Sequence, residues 1–94
     1  MLELIGKFDT PNGSKYLQQL CKHFGHKIEV SHTEHDGTCH FMMGPAYLRA
    51  DDTSLSVRFE LTSPDQLEAA RGVIDSHLKT FAFREGFTQM DWSA

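Results

Sequence analysis

Leu2, Leu4, Gly6 and Phe8 alternate with Glu3, Ile5, Lys7 and Asp9. A period of two predicts a first strand. Thr10-Pro11 then reads as a helix entry, because proline's fixed φ and missing N–H cost nothing in a first turn. Tyr16, Leu17, Leu20, Cys21 and Phe24 follow. At the helical angle they fall within an arc of about 140°, an amphipathic helix. Gly25 is the natural stop, since glycine takes the left-handed position after a helix without a Cβ penalty.

The middle of the chain predicts a meander of four strands. Asp36-Gly37 has the composition of a two-residue hairpin turn. Centring the hairpin there sets His32 opposite Phe41 and Val30 opposite Met43. A second turn at Gly44-Pro45 sets Phe41 opposite Leu48 and Cys39 opposite Ala50. A third loop, Asp51 to Ser54, brings Leu55, Val57 and Phe59 opposite Ala50, Leu48 and Ala46. All three turns place the apolar residues on one face, and a slip of one residue at any of them would invert a strand.

A last helix opens at Ser63-Pro64-Asp65-Gln66, with Ser63 as cap, Pro64 at its first position and Gln66 completing a capping box. Leu67, Ala70, Ile74, Leu78 and Phe81 form its buried stripe. The tail carries Phe83, Phe87, Met90 and Trp92, too apolar a set to stay in water, and is expected to fold back as a short extra strand. The fold class is therefore α+β in the order β-α-β-β-β-β-α. Two helices cover one face of an antiparallel sheet, the topology of a TATA-binding-protein-like half-fold. Residues 1–94 form one domain with a radius of gyration of about 12 Å.

Composition narrows the function classes. The 94 residues are 39% hydrophobic and 23% charged, the proportions of a soluble globule, with a net charge of −4. Net acidity argues against nucleic acid, whose binding neutralises phosphates with basic side chains. No apolar run approaches the roughly 20 residues of a membrane span, and no secretory segment is visible at the start. The two Cys then read as free thiols of a cytoplasmic protein.

Six His invite a metal reading, which geometry restricts. Cys21 and His23 point about 160° apart on a helix and cannot grip one ion together. Cys21 and Cys39 both project inward. His23 and His77 occupy matching flanks of the two helices, so their imidazoles can face one groove. The simpler account gives each a backbone carbonyl or carboxylate partner and a packing role. His35 and His40 are expected as diagonal neighbours on the outer sheet face, with His32 on the core side. The outer face also carries Met42, Tyr47, Arg49 and Arg58. The register places Tyr47 between Met42 and Arg58, and Arg49 between His40 and Ser56. These residues are candidates for an interface, a homodimer among the options, against a merely solvated sheet face. No glycine-rich phosphate loop and no nucleophile elbow occurs, so binding is favoured over catalysis. An enzyme using His77 as general base is the third reading.

Two long strings, Tyr16-Leu17-Gln18-Gln19-Leu20-Cys21-Lys22-His23-Phe24-Gly25-His26-Lys27 and His77-Leu78-Lys79-Thr80-Phe81-Ala82-Phe83-Arg84-Glu85, resemble the signature of the bacterial family catalogued as domain of unknown function 2218. Asp91-Trp92 does too, and the resemblance spans nearly the whole chain. The turn Met43-Gly44-Pro45-Ala46 departs from the family's glycine hairpin. The resemblance implies a stand-alone cytoplasmic domain associated with siderophore-interacting reductases and iron uptake, with no transferable catalytic residues. It singles out Cys21, His23, His26, His77, Arg84 and Glu85. The expected site is a groove edge holding His23, His26 and His77, with Arg84 and Glu85 nearby, that takes a metal ion or a siderophore-related ligand.

Overall fold

The computed structural model describes residues 2–93. Strand β1 (Leu2–Asp9) leads into helix α1 (Gly13–Phe24). Strands β2 (Val30–His32), β3 (Asp36–Phe41), β4 (Gly44–Ala50) and β5 (Ser54–Leu61) form the expected meander. A 3-10 turn at Pro64–Gln66 runs into helix α2 (Leu67–Phe81). A second 3-10 turn, Phe83–Glu85, precedes strand β6 (Asp91–Ser93). The sheet order is β2-β3-β4-β5-β1-β6, every pairing antiparallel. The fold class is thus α+β, two helices on one face of an open sheet of six strands.

The core lies between the helices and the inner sheet face. Leu17 and Leu20 of α1 and Ile74 and Leu78 of α2 share one buried cluster with Leu4, Leu48, Val57, Phe59 and Leu61 of the sheet. The ring of Phe41 meets Phe24 at 5.0 Å and Phe59 at 5.9 Å between centroids. This layering is the one expected, and it sets the flanks of the two helices beside each other.

The third loop has the expected register, with Ala50 opposite Leu55 and Leu48 opposite Val57. The first two hairpins do not. Val30 pairs with Cys39 and His32 with Gly37, so Asp36 and Gly37 are strand residues. The turn moves back because Thr33 captures it. Its Oγ1 accepts the N–H groups of His35 and Asp36 at 3.3 and 3.1 Å, and its own N–H reaches Asp36 O at 2.7 Å. Likewise Phe41 pairs with Gly44, so Met42-Met43 forms the turn and Gly44 opens β4. Gly44 has φ 137°, and a Cβ there would lie 1.9 Å from Glu60 O on β5. Only glycine fits that position. Both registers are offset by four residues from expectation. An even offset keeps every side chain on its face, so the apolar face is right although the pairs are wrong.

The helix ends also differ in detail. Helix α1 begins at Gly13 rather than at Pro11, after a turn in which Thr10 Oγ1 accepts the Asn12 N–H at 3.1 Å. Gly25 is right-handed (φ −61°), because the chain continues winding and Lys27 and Ile28 both donate to Phe24 O at 3.0 Å. At α2, Ser63 makes no backbone cap. Gln66 reaches back one residue further than a capping box, and its Oε1 accepts the Thr62 N–H at 3.1 Å.

The tail folds back as expected. Gly6 pairs with Trp92 and Lys7 with Asp91, while Phe87 and Met90 enter the core. Phe83 is the exception and stands 65% exposed on the turn after α2. Asp75 of α2 fastens the strand, accepting the Met90 N–H at 3.0 Å and the Trp92 Nε1–H at 2.9 Å.

Candidate functional site

Helices α1 and α2 bring His23 and His77 together, with ring centroids 4.5 Å apart and planes inclined at 55°. His77 also meets the ring of Phe24 edge-on at 4.9 Å. His77 Nδ1 lies 2.6 Å from Val73 O, one helical turn back. A carbonyl can only accept, so Nδ1 carries the hydrogen, and in the neutral ring the lone pair sits on Nε2. The two imidazoles border a groove of 210 Å³ whose remaining wall is Phe24, Lys27, Ile28, Phe41 and Val73. Loss of water beside these apolar groups lowers the His23 pKa below 6.5, and the neighbouring His77, Lys27 and His26 charges push it the same way. His23 is therefore a neutral nitrogen donor at pH 7.

The other residues marked in the sequence lie elsewhere. His26 is exposed and borders a separate groove of 430 Å³ with Cys21, Lys22, Val30 and His32. Arg84 lies 5.5 Å from the centroid of the Phe83 ring, beyond the end of α2. Glu85 ties the tail to the start of α1, where its carboxylate accepts hydrogen bonds from Tyr16 Oη, from Thr10 Oγ1 at 2.7 Å and from Asn12 Nδ2 at 3.0 Å. Tyr16 precedes His23 by seven residues, roughly 10 Å along the helix. Partial burial raises the Glu85 pKa, but the three donors outweigh it and hold the carboxyl below 4.5. Tyr16 moves the other way, pushed up to about 12 by burial and by Glu85.

Lys27, Ile28, Phe41 and Val73 were not singled out for the groove. The helix-end rule that puts basic residues in a last turn could have marked Lys27. No sequence signal marks Val73, which contributes a backbone oxygen.

On the outer sheet face Tyr47 stands between Thr38 and Arg58, and Arg49 between Asp36 and Ser56. The register offset moves Met42 into the turn, where it is fully exposed, and pairs His40 with Pro45. His40 contacts Glu29 at 3.8 Å and is not beside His35, which belongs to the preceding turn. His32 stays on the core side, where its partner Gly37 faces Cys21, but it is exposed because β2 is the edge of the sheet. The Arg58 guanidinium lies 4.5 Å from the Tyr47 ring centroid and bonds Glu60 at 3.1 Å and Glu3 at 3.3 Å.

Among the described residues no group of three or more His, Cys, Asp or Glu side chains is arranged to hold a metal ion. Two imidazoles fall short of the four ligands of a structural zinc site, so the groove does not fit a resident ion. No described helix is long and apolar enough to cross a membrane.

Fold and groove together define a small two-layer α+β domain with a histidine pair between its helices. The chain belongs to the bacterial family described as "Uncharacterized protein conserved in bacteria (DUF2218)", matched over residues 6–93. It is similar to the NMR structure of PA4090 from Pseudomonas aeruginosa, with 27% identity and a TM-score of 0.81. The match covers 99% of this chain and 96% of that one. No curated protein matches it.

Proposed function

We propose that the domain is a non-enzymatic binding accessory in iron or siderophore handling, and that its ligand is an iron chelate seated in the His23–His77 groove. The observation that carries this is the pair of imidazoles 4.5 Å apart, one of them held by Val73 so that its free lone pair is on Nε2. Imidazole nitrogen suits iron. Two nitrogens would fill part of the coordination shell, and the chelate would supply the rest. The apolar wall of Phe24, Phe41 and Ile28 suits an aromatic chelator. At 210 Å³ the groove is smaller than the ~300–1,000 Å³ of ordinary ligand sites. It would therefore grip one edge of the chelate and leave the rest in water, where a siderophore-related reductase of the cytoplasm could reach it.

Calorimetry of the untagged protein with ferrous ion, zinc ion and a ferric catechol complex tests this. The expected result is one-site binding of the ferric complex, lost in His77→Ala. Absence of heat from all three, or binding that His77→Ala leaves intact, overturns it.

A second reading rests on the uncovered sheet face. Ile5, Tyr47 and Arg58 form one row across β1, β4 and β5, and the face carries Arg58 beside Glu3 and Glu60 and Arg49 beside Asp36. A face with both charges can complement a second copy of itself across a two-fold axis. On this reading the domain is a homodimerisation module, and its measure is the oligomeric state in solution.

A further inference from the structure

Strand β2 is the outermost strand at its end of the sheet, and it packs beside helix α1. Glu29 O accepts the His40 N–H at 3.0 Å, and the Thr33 N–H donates to Asp36 O at 2.7 Å, so the backbone groups of residues 29, 31 and 33 face β3. In an antiparallel ladder the residues between them face the other way. The N–H and C=O groups of Val30 and His32 therefore point out of the sheet, two donors and two acceptors with no strand to meet them among the described residues. The side chains of the same two residues line the 430 Å³ groove with Cys21, Lys22, Gly25 and His26 of the helix end. Gly25 keeps this groove open, since a Cβ there would lie 3.1 Å from Cys21 O and 4.0 Å from Val30 Cβ.

The groove carries charge of one sign. Lys22, His26 and His32 line it, and no Asp or Glu does. Elsewhere on this acidic molecule the cations are matched: Lys7 lies 3.8 Å from Asp9, Arg49 3.8 Å from Asp36 and Arg58 3.1 Å from Glu60. Among the described residues Lys22, His26 and His32 have no such partner. Glu29, next to Val30, is turned to His40 at 3.8 Å, and Glu34 lies in the turn beyond the strand without lining the groove.

We propose that this edge and groove dock an acidic peptide segment of a partner protein, which joins β2 as a further strand. Its backbone meets the outward groups of Val30 and His32, and its alternate side chains enter the groove, where carboxylates face Lys22, His26 and His32. This division of labour is the usual one for an added strand, backbone bonds giving affinity and alternate side chains giving specificity. Three residues of edge are a short hold, so the charges must supply part of the affinity. A nucleic acid or polyphosphate matches the charge but not the edge. Phosphate oxygens only accept, and the outward C=O groups of Val30 and His32 need donors in line with those of a strand. The inference is independent of the histidine pair, whose groove shares no residue with this one.

Amide hydrogen exchange followed by NMR, with a capped hexapeptide of alternating Glu and Thr, tests this. In the free protein the Val30 and His32 amides are expected to exchange faster than the Ser31 amide, which faces Thr38 of β3. With the peptide at about ten times its Kd, exchange at Val30 and His32 should slow about tenfold, because only the free fraction exchanges. Lys22→Glu changes an exposed side chain and is expected to weaken binding about fivefold, the upper range for an exposed charge pair. The same peptide with Gln in place of Glu should bind more weakly, and the peptide methylated on its amide nitrogens should not bind. Absence of binding at millimolar peptide overturns the proposal. So does binding that leaves both amides exchanging as before, binding that survives amide methylation, or inorganic polyphosphate bound as tightly as the peptide.

Discussion

His23 and His77 show how much a single carbonyl decides. With Val73 O holding His77 Nδ1, the ring cannot turn to bond its neighbour, and the two imidazoles remain side by side. The His23 proton affinity reports this contact. In NMR titrations its pKa is expected below 6.5, and His77→Ala is expected to move it upward by removing one of the opposing charges. The sign for stability follows. A histidine whose folded pKa is lowered takes up its proton first in the unfolded chain. Its contribution is present above pH 6.5 and is lost as the pH falls below that value. An unmoved His23 titration in His77→Ala would separate the two rings electrically. At the other end of the helix, Tyr16→Phe removes a donor from the Glu85 carboxylate. The expected cost is about 1–2 kcal/mol in urea unfolding. Glu85 with its lowered pKa stabilises the fold above pH 4.5 and loses that contribution as acid protonates it. Tyr16 acts on the alkaline side, its contribution fading between pH 10 and about 12. A Tyr16→Phe protein with unchanged acid and alkaline limbs would contradict both assignments.

Among the elements, the helices and the inner face of the sheet were legible because they rest on periodicity, which averages over many residues. The two hairpin registers rest on one turn each, and there local chemistry decided. The Thr33 hydroxyl outbid Asp36-Gly37 for the first turn, and Gly44 was needed against Glu60 O rather than in the turn itself. Of the site, the meeting of His23 and His77 could be read from their helical flanks, but the Val73 contact could not. The position of Glu85 depends on where the tail turns back, which no periodicity fixes. The tail strand has its own signature in Gly6. A Cβ at this position would lie 2.6 Å from the Trp92 ring, so the missing side chain is what lets the indole lie over β1 and reach Asp75. Gly6→Ala is expected to cost about 1–3 kcal/mol, as overpacking does. It should also red-shift the Trp92 fluorescence and speed proteolysis after Glu85. Unchanged fluorescence would mean that the indole is held by other contacts.

At the scale of the whole molecule, the layering leaves one face of the sheet without a helix. Its row of Thr38, Tyr47, Arg58 and Ile5 is a mixture of aromatic, charged and apolar groups, with Ile5 39% exposed. If this face joins two copies, sedimentation of the wild type will give a dimer and Tyr47→Glu a monomer, since a carboxylate there faces the acidic Glu60 of its own chain. A wild type that sediments as a monomer rules out this use of the face.

The short strand β6 has a consequence for the sheet's borders. With β6 in place the two outermost strands, β2 and β6, are three residues each, while the eight-residue β1 is enclosed. A border of three residues offers a neighbouring molecule little backbone to extend, and an eight-residue border offers a template. Trp92, Asp75 and Gly6 thus act together as a guard against polymerisation. A chain that loses its last turn of sequence would expose an eight-residue strand able to seed growth of sheet on sheet.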